Sequence, residues 1–204
     1  MNEKLIFGAK MDFEEVCYLS WEKFEFLSER LAEKIEKDEM DFQNIVSLVN
    51  GGLILGSVLS DYLKIPLHTI HTQRFRIGCK KSTEIIATGI IDGNTILEGN
   101  VLVIKDFVNI GKTLESVINK VRMEKYVENV KSAVLFRKVN SQFRPNYYAE
   151  LTDKFIVFPY RINEFFRQIN KKIDEFNSVI KEVHIQNYQF YEYNRKIEIM
   201  DRGT

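Results

Sequence analysis

Two apolar periods alternate along this chain. After Ser20, a residue able to cap a helix, Phe24, Leu27, Leu31 and Ile35 recur at three- and four-residue spacing and predict an amphipathic helix. Asn44-Ile-Val-Ser-Leu-Val49 reads as a short buried strand. Beyond Asn50-Gly51-Gly52 a second helical pattern runs through Leu53, Leu55, Val58, Leu59 and Leu63. Pro66 opens an extended piece from Leu67 to Thr72. The polar stretch from Gln73 to Thr83, with Arg74, Arg76, Lys80 and Lys81, is expected to be a mobile loop. Glu84 to Ile90 reads as a strand turned by the hairpin dipeptide Asp92-Gly93. Four apolar residues, Val101 to Ile104, predict a buried strand, and Gly111-Lys112-Thr113 then opens a helix carrying Leu114, Val117, Ile118 and Val121. Ser132 to Phe136 and Phe155 to Phe158 complete the strands.

Alternation of strand and helix from about residue 44 to 136 points to an α/β fold with a mainly parallel central sheet flanked by helices. In such sheets ligands sit above the carboxyl ends of the strands, where both glycine-bearing loops leave their strands, so the two loops are expected to face one pocket. The division expected is a main domain over residues 1–160 and a C-terminal helical and aromatic extension over residues 161–204. In that extension Phe166, Ile169, Ile173, Phe176, Ile180 and Val183 form a heptad-like stripe, followed by Tyr188, Phe190, Tyr191 and Tyr193. Fewer than three full heptads favour a helix docked on its own domain; a homodimer or protein-partner interface is the alternative.

Composition narrows the partners. The 204 residues contain 29 Lys and Arg and 29 Asp and Glu, so no global field favours nucleic acid or an anionic membrane, and any anion site must be local. No apolar run approaches the roughly 20 residues that span a bilayer. Two lone cysteines, Cys17 and Cys79, suggest a reducing cytoplasm, and His68, His71 and His184 lack ligand spacing with them. The segment Val101-Leu-Val-Ile-Lys-Asp-Phe-Val-Asn-Ile-Gly-Lys-Thr-Leu114 carries the strongest chemical signal. A loop ending at a helix N-terminus directs backbone N–H groups at an anion, and this one follows a buried strand that ends in Lys105 and Asp106. It is not a Walker A loop, because Asp106 stands where that motif needs its first glycine.

These residues resemble the type I phosphoribosyltransferases, above all the purine (hypoxanthine, xanthine and guanine) branch. Val101–Leu114 is similar to that family's motif for phosphoribosyl diphosphate (PRPP): an apolar strand, two acids, two residues, then Asp-Thr-Gly-x-Thr. Leu48-Val-Asn-Gly-Gly-Leu-Ile-Leu-Gly56 resembles its pyrophosphate loop, and Leu59-Ser60-Asp61 follows at the branch's spacing. Phe136-Arg-Lys-Val-Asn-Ser141 and Pro145-Asn-Tyr-Tyr-Ala149 are similar to the segment after the fourth strand. Phe155-Ile-Val-Phe-Pro159 resembles the Trp-Ile-Val-Phe-Pro end of the small hood over the pocket. The resemblance implies a type I phosphoribosyltransferase-like fold and a reaction in which a nucleobase nitrogen attacks the anomeric carbon of PRPP and pyrophosphate leaves. It implies that Ile110, Gly111, Lys112 and Thr113 hold the 5-phosphate and that Asn50, Gly51 and Gly52 hold pyrophosphate together with Mg²⁺. Asp106 would serve the ribose hydroxyls and the metal, with Lys138 and Phe155 for the base.

Four positions depart from the family's pattern. Lys105 replaces the first acid of the pair, so a ribose-diol carboxylate has become a cation that could reach a phosphate instead. Asn109 replaces the acid credited with taking or sharing the base's proton, and an amide takes no proton at neutral pH. Ile110 replaces a threonine hydroxyl at the 5-phosphate while keeping its N–H. Asn50 stands at the first place of the pyrophosphate loop, where many relatives carry a charge. Two functions follow as expectations: a purine-type phosphoribosyltransferase, or an inactive member of the fold that binds a nucleotide or PRPP as a regulator or serves as a protein-interaction module.

Overall fold

The computed structural model describes the backbone of residues 4–6, 9–11, 16–77, 80–90 and 96–167, and the side chains of 16–72 and 96–167. It divides into two compact units, residues 1–162 and 163–204. Of the C-terminal stripe only Phe166 lies among the described residues; the aromatic cluster lies outside them.

In chain order the first unit contains β1 (Lys4–Ile6), β2 (Ala9–Met11), β3 (Val16–Tyr18), α1 (Trp21–Glu36), β4 (Asn44–Val49), α2 (Gly51–Leu63), β5 (Leu67–Ile77) and β6 (Lys80–Ile90). There follow β7 (Glu98–Val108), α3 (Lys112–Arg122), β8 (Tyr126–Lys138), β9 (Tyr147–Thr152) and β10 (Phe155–Val157), then a 3-10 turn, Pro159–Arg161. Six strands form the central sheet in the order β6-β5-β4-β7-β8-β9. All neighbours are parallel except β5 and β6. Two small sheets lie apart from it: β1 with β2, antiparallel, and β3 with β10, parallel, the latter pairing Val16 with Phe155.

Alternation along the central strands sends side chains to two cores, as a sheet covered on both faces requires. Ile45, Leu102, Ile104, Ala133 and Leu135 pack with Phe24, Leu27, Leu31, Leu55 and Leu59 of α1 and α2. Val46, Leu48, Val101, Val103 and Val134 pack with Leu114, Val117, Ile118 and Val121 of α3. The predicted cap is present: Ser20 Oγ accepts the Lys23 N–H at 3.2 Å. No described helix is long and apolar enough to cross a membrane.

Two local expectations are corrected. The polar stretch after Gln73 is not a loop: β5 continues to Ile77 and β6 begins at Lys80, with Arg74 opposite Ile85 and Arg76 opposite Lys81. Among the described strands β6 lies at the edge of the sheet and pairs only with β5, a position where charged side chains are common. The second correction concerns Asp92-Gly93. That dipeptide lies outside the described residues; the strands before and after it, β6 and β7, are not paired, since β5 and β4 lie between them in the sheet.

Candidate active site

β4 and β7 are adjacent and parallel, so the loops leaving their carboxyl ends open on the same edge of the sheet. After β4 the peptide between Val49 and Asn50 is cis, and the chain turns at once into α2. The loop lies against the sheet because Gly51 and Gly52 carry no side chains. A Cβ on Gly52 would press on the Ile104 carbonyl, and one on Gly51 would collide with the Asp106 carboxylate and the Arg161 guanidinium. Ser47 Oγ donates to the Gly52 carbonyl at 2.6 Å and anchors the turn from below. After β7, Gly111 takes φ +102°, a conformation that side chains disfavour, and a Cβ there would also strike Phe143. Its carbonyl accepts the Glu115 N–H at 3.0 Å, which starts α3.

A cavity of about 300 Å³ lies between the loops, lined by Leu48, Val49, Asn50, Gly51, Thr72, Lys105, Thr113 and Arg161. Four predicted residues therefore share one pocket: Asn50, Gly51, Lys105 and Thr113. Gly52 is buried beneath the loop, while Asn109, Ile110 and Lys112 are exposed on the second loop and are not among the lining residues. Lys138 Nζ donates to the Asp153 carbonyl, two residues before the half-buried Phe155; neither Lys138 nor Phe155 lines this cavity.

Asp106 is the electrostatic centre, yet it stands behind the wall rather than in it. The residue is 3% exposed. Its Oδ1 accepts from Lys105 Nζ at 3.0 Å and from the Phe107 N–H at 2.9 Å. Its Oδ2 lies 3.5 Å from Arg161 Nη2 and 3.4 Å from the Tyr160 hydroxyl. Burial pushes the Asp106 carboxyl up, but Lys105 and Arg161 together outweigh it and hold the group below the ordinary aspartate value. Burial, then the neighbouring Asp106 charge, pushes the Tyr160 phenol well above its ordinary value, so it remains a donor. Tyr160 is fixed by rings on several sides, with Trp21, Phe24 and Phe158 at 6.2, 5.9 and 5.3 Å between centroids. Its hydroxyl also reaches the Gly51 carbonyl at 3.2 Å, which ties the first loop to the same cluster.

Sequence reasoning missed Thr72, Tyr160 and Arg161. Arg161 follows Pro159, the last residue of the recognised hood motif, by two positions. It was assigned to the extension, although its guanidinium lines the pocket. An arginine two residues beyond that motif was the available signal.

The family model for the phosphoribosyl transferase domain matches residues 17–168. The hypoxanthine-guanine phosphoribosyltransferase of Cricetulus griseus is 32% identical over 161 residues, covering 70% of this chain and 72% of the relative. The solved purine phosphoribosyltransferase from Pyrococcus horikoshii Ot3 is 32% identical with a TM-score of 0.61, covering 72% of this chain and 94% of that one. A hypothetical protein from Neisseria gonorrhoeae with bound ppGpp superposes with a TM-score of 0.64 over 78% of this chain and 97% of its own. Its identity is 21%, a likeness of fold.

Proposed function

The chain belongs to the phosphoribosyl transferase family, and on that premise we propose that it transfers the phosphoribosyl group of PRPP to a purine base with release of pyrophosphate. The observation that carries this reading is the convergence of two glycine-bearing loops on one cavity whose wall holds two cations and two threonines. Diphosphate and 5-phosphate are the anionic ends of PRPP, and two loops at neighbouring strand ends suit a ligand with two such ends.

In this reading the Thr113 hydroxyl and the N–H groups from Ile110 to Thr113 take the 5-phosphate. Asn50 and Gly51 meet the diphosphate, with Gly52 keeping their loop against the sheet. The base nitrogen forms a bond to the anomeric carbon as the carbon–oxygen bond to diphosphate breaks, the electron pair departs with pyrophosphate, and the proton of the base nitrogen passes to solvent. Lys105 and Arg161 stabilise that departing charge. Lys138, which donates to the Asp153 carbonyl, supplies the 6-oxo contact, and Phe155 supplies the stacking face for the base. Asn109 cannot take the base's proton; at neutral pH it can orient the base or a water. The unpaired Cys17 is consistent with a reducing cytoplasm.

A second reading rests on one observation of its own. Asp106, the acid expected at the ribose hydroxyls, is sealed by Lys105, Arg161 and Tyr160, which suits a member that binds PRPP or a nucleotide without turnover. In that case the C-terminal extension is the candidate surface for a partner or a second copy. A single experiment separates the two: pyrophosphate release from PRPP with hypoxanthine, guanine, xanthine and adenine in turn. Release that depends on the base and is lost in Thr113→Ala establishes transfer. PRPP binding with no release for any base establishes the binding role.

A further inference from the structure

We propose that this pocket takes its diphosphate unchelated, with Lys105 and Arg161 supplying the countercharge that a divalent cation would otherwise bring. The inference rests on the reading of the cavity as a PRPP site and names how that site neutralises its ligand.

Resemblance to the family carries an expectation of Mg²⁺ at Asp106, and the donor set does not fit it. Mg²⁺ takes oxygen ligands in near-octahedral geometry, and a protein holds it through one or two carboxylates beside the substrate's own phosphates and waters. Here the Asp106 carboxylate is occupied on both oxygens, by Lys105 Nζ and the Phe107 N–H on one and by Arg161 and the Tyr160 hydroxyl on the other. Among the described residues no group of three His, Cys, Asp or Glu side chains could hold a metal ion. Among the described residues the cavity wall presents Lys105 and Arg161 and no carboxylate. A divalent cation entering it meets like charge on two sides.

A bare diphosphate meets the opposite. Lys105 and Arg161 share one buried carboxylate between them, so the cluster keeps a net positive charge and unused N–H donors. The amino end of α2, a helix of 13 residues, opens on the same cavity at Asn50 and Gly51. Its first turn contains no acidic residue to compete for its N–H groups. Arginine and lysine also divide the task by shape: a planar fork for two oxygens, and a point charge for a third. Close approach of the Arg161 guanidinium to the loop depends on Gly51, where any Cβ would displace it. Chelation by Mg²⁺ removes two negative charges from diphosphate. A pocket that carries its own countercharge should then bind the chelate less well than the free anion.

The test is calorimetric titration of inorganic pyrophosphate into the full chain, once in EDTA and once in millimolar Mg²⁺. The expected result is binding in EDTA at least as tight as in Mg²⁺. Arg161→Gln should weaken it roughly ten- to hundredfold, the range of a hydrogen bond to a charged group. Lys105→Gln is the second variant, read the same way, and thermal melts followed by circular dichroism establish that each variant is folded. Binding that appears only with Mg²⁺, or is unchanged in both folded variants, overturns the inference and leaves the PRPP reading standing. No pyrophosphate binding in either buffer overturns both.

Discussion

Replacing Asp106 with asparagine separates the two roles that a buried acid at this position can have. The substitution keeps the side chain's size and an oxygen for the Phe107 N–H, now 2.9 Å away, but removes the charge between Lys105 and Arg161. A hydrogen bond to a charged group contributes about 1.5–3 kcal/mol, and the Lys105 contact at 3.0 Å is of that kind. The Arg161 contact at 3.5 Å is longer, and both cations are about a quarter exposed, so solvent screens part of the gain. Asparagine also escapes the desolvation that opposes a buried carboxylate. The net loss of stability should be about 1–3 kcal/mol, or roughly 3–10 °C in Tm for a domain of this size. Urea unfolding with matched m-values measures it.

The acid limb gives a second check on the same variant. Because the fold lowers the Asp106 pKa, the carboxylate's contribution is complete above its unfolded value of about 3.9 and is lost as pH falls through the lower folded value. Wild type should therefore lose more stability than Asp106→Asn over that window. Binding should move the other way. Removing one negative charge from behind the cavity wall favours an anion in the cavity, so Kd for pyrophosphate should fall. A variant less stable yet tighter for pyrophosphate fits a carboxylate that restrains two anion-binding cations. Stability within about 0.5 kcal/mol of wild type, or weaker pyrophosphate binding, refutes the argument and returns Asp106 to the role of a direct ligand contact.

Further consequences follow from the loops. Gly51→Ala should displace the Arg161–Asp106 pair, weaken pyrophosphate binding at least tenfold and cost about 1–3 kcal/mol by overpacking, checked by calorimetry and urea unfolding. Gly111→Ala forces a side chain into φ +102° and against Phe143, and a loss of roughly 1–3 kcal/mol is expected. Ser20→Ala removes the α1 cap and should cost about 1 kcal/mol, with pyrophosphate affinity unchanged.

Much of the scaffold was legible because its elements are strongly periodic. The stripe Phe24, Leu27, Leu31 and Ile35 gave α1, and the apolar runs at Ile45–Val49 and Val101–Ile104 gave the two central strands that aim the loops. β5 and β6 were harder to read: the stretch from Gln73 to Thr83 is rich in charged and polar residues, which a strand such as β6 at the edge of a sheet commonly carries. β9 was missed because Tyr147–Thr152 has few fully buried residues and gains its place by pairing with β8. At the site, the positions of Asn50, Gly51, Lys105 and Thr113 followed from motif and topology. The state of Asp106 did not. Its partners Tyr160 and Arg161 lie more than fifty residues away, and only the folded chain shows that Lys105 turns back on its own neighbour.

Calorimetric titration of PRPP, with purine nucleoside monophosphates titrated in parallel, tests most directly whether the cavity between the two loops binds PRPP. Saturable micromolar binding of PRPP, displaced by a monophosphate and lost in folded Thr113→Ala, is the result this structure predicts. No heat of binding up to millimolar PRPP, with or without Mg²⁺, would contradict it and leave a family scaffold without its ligand.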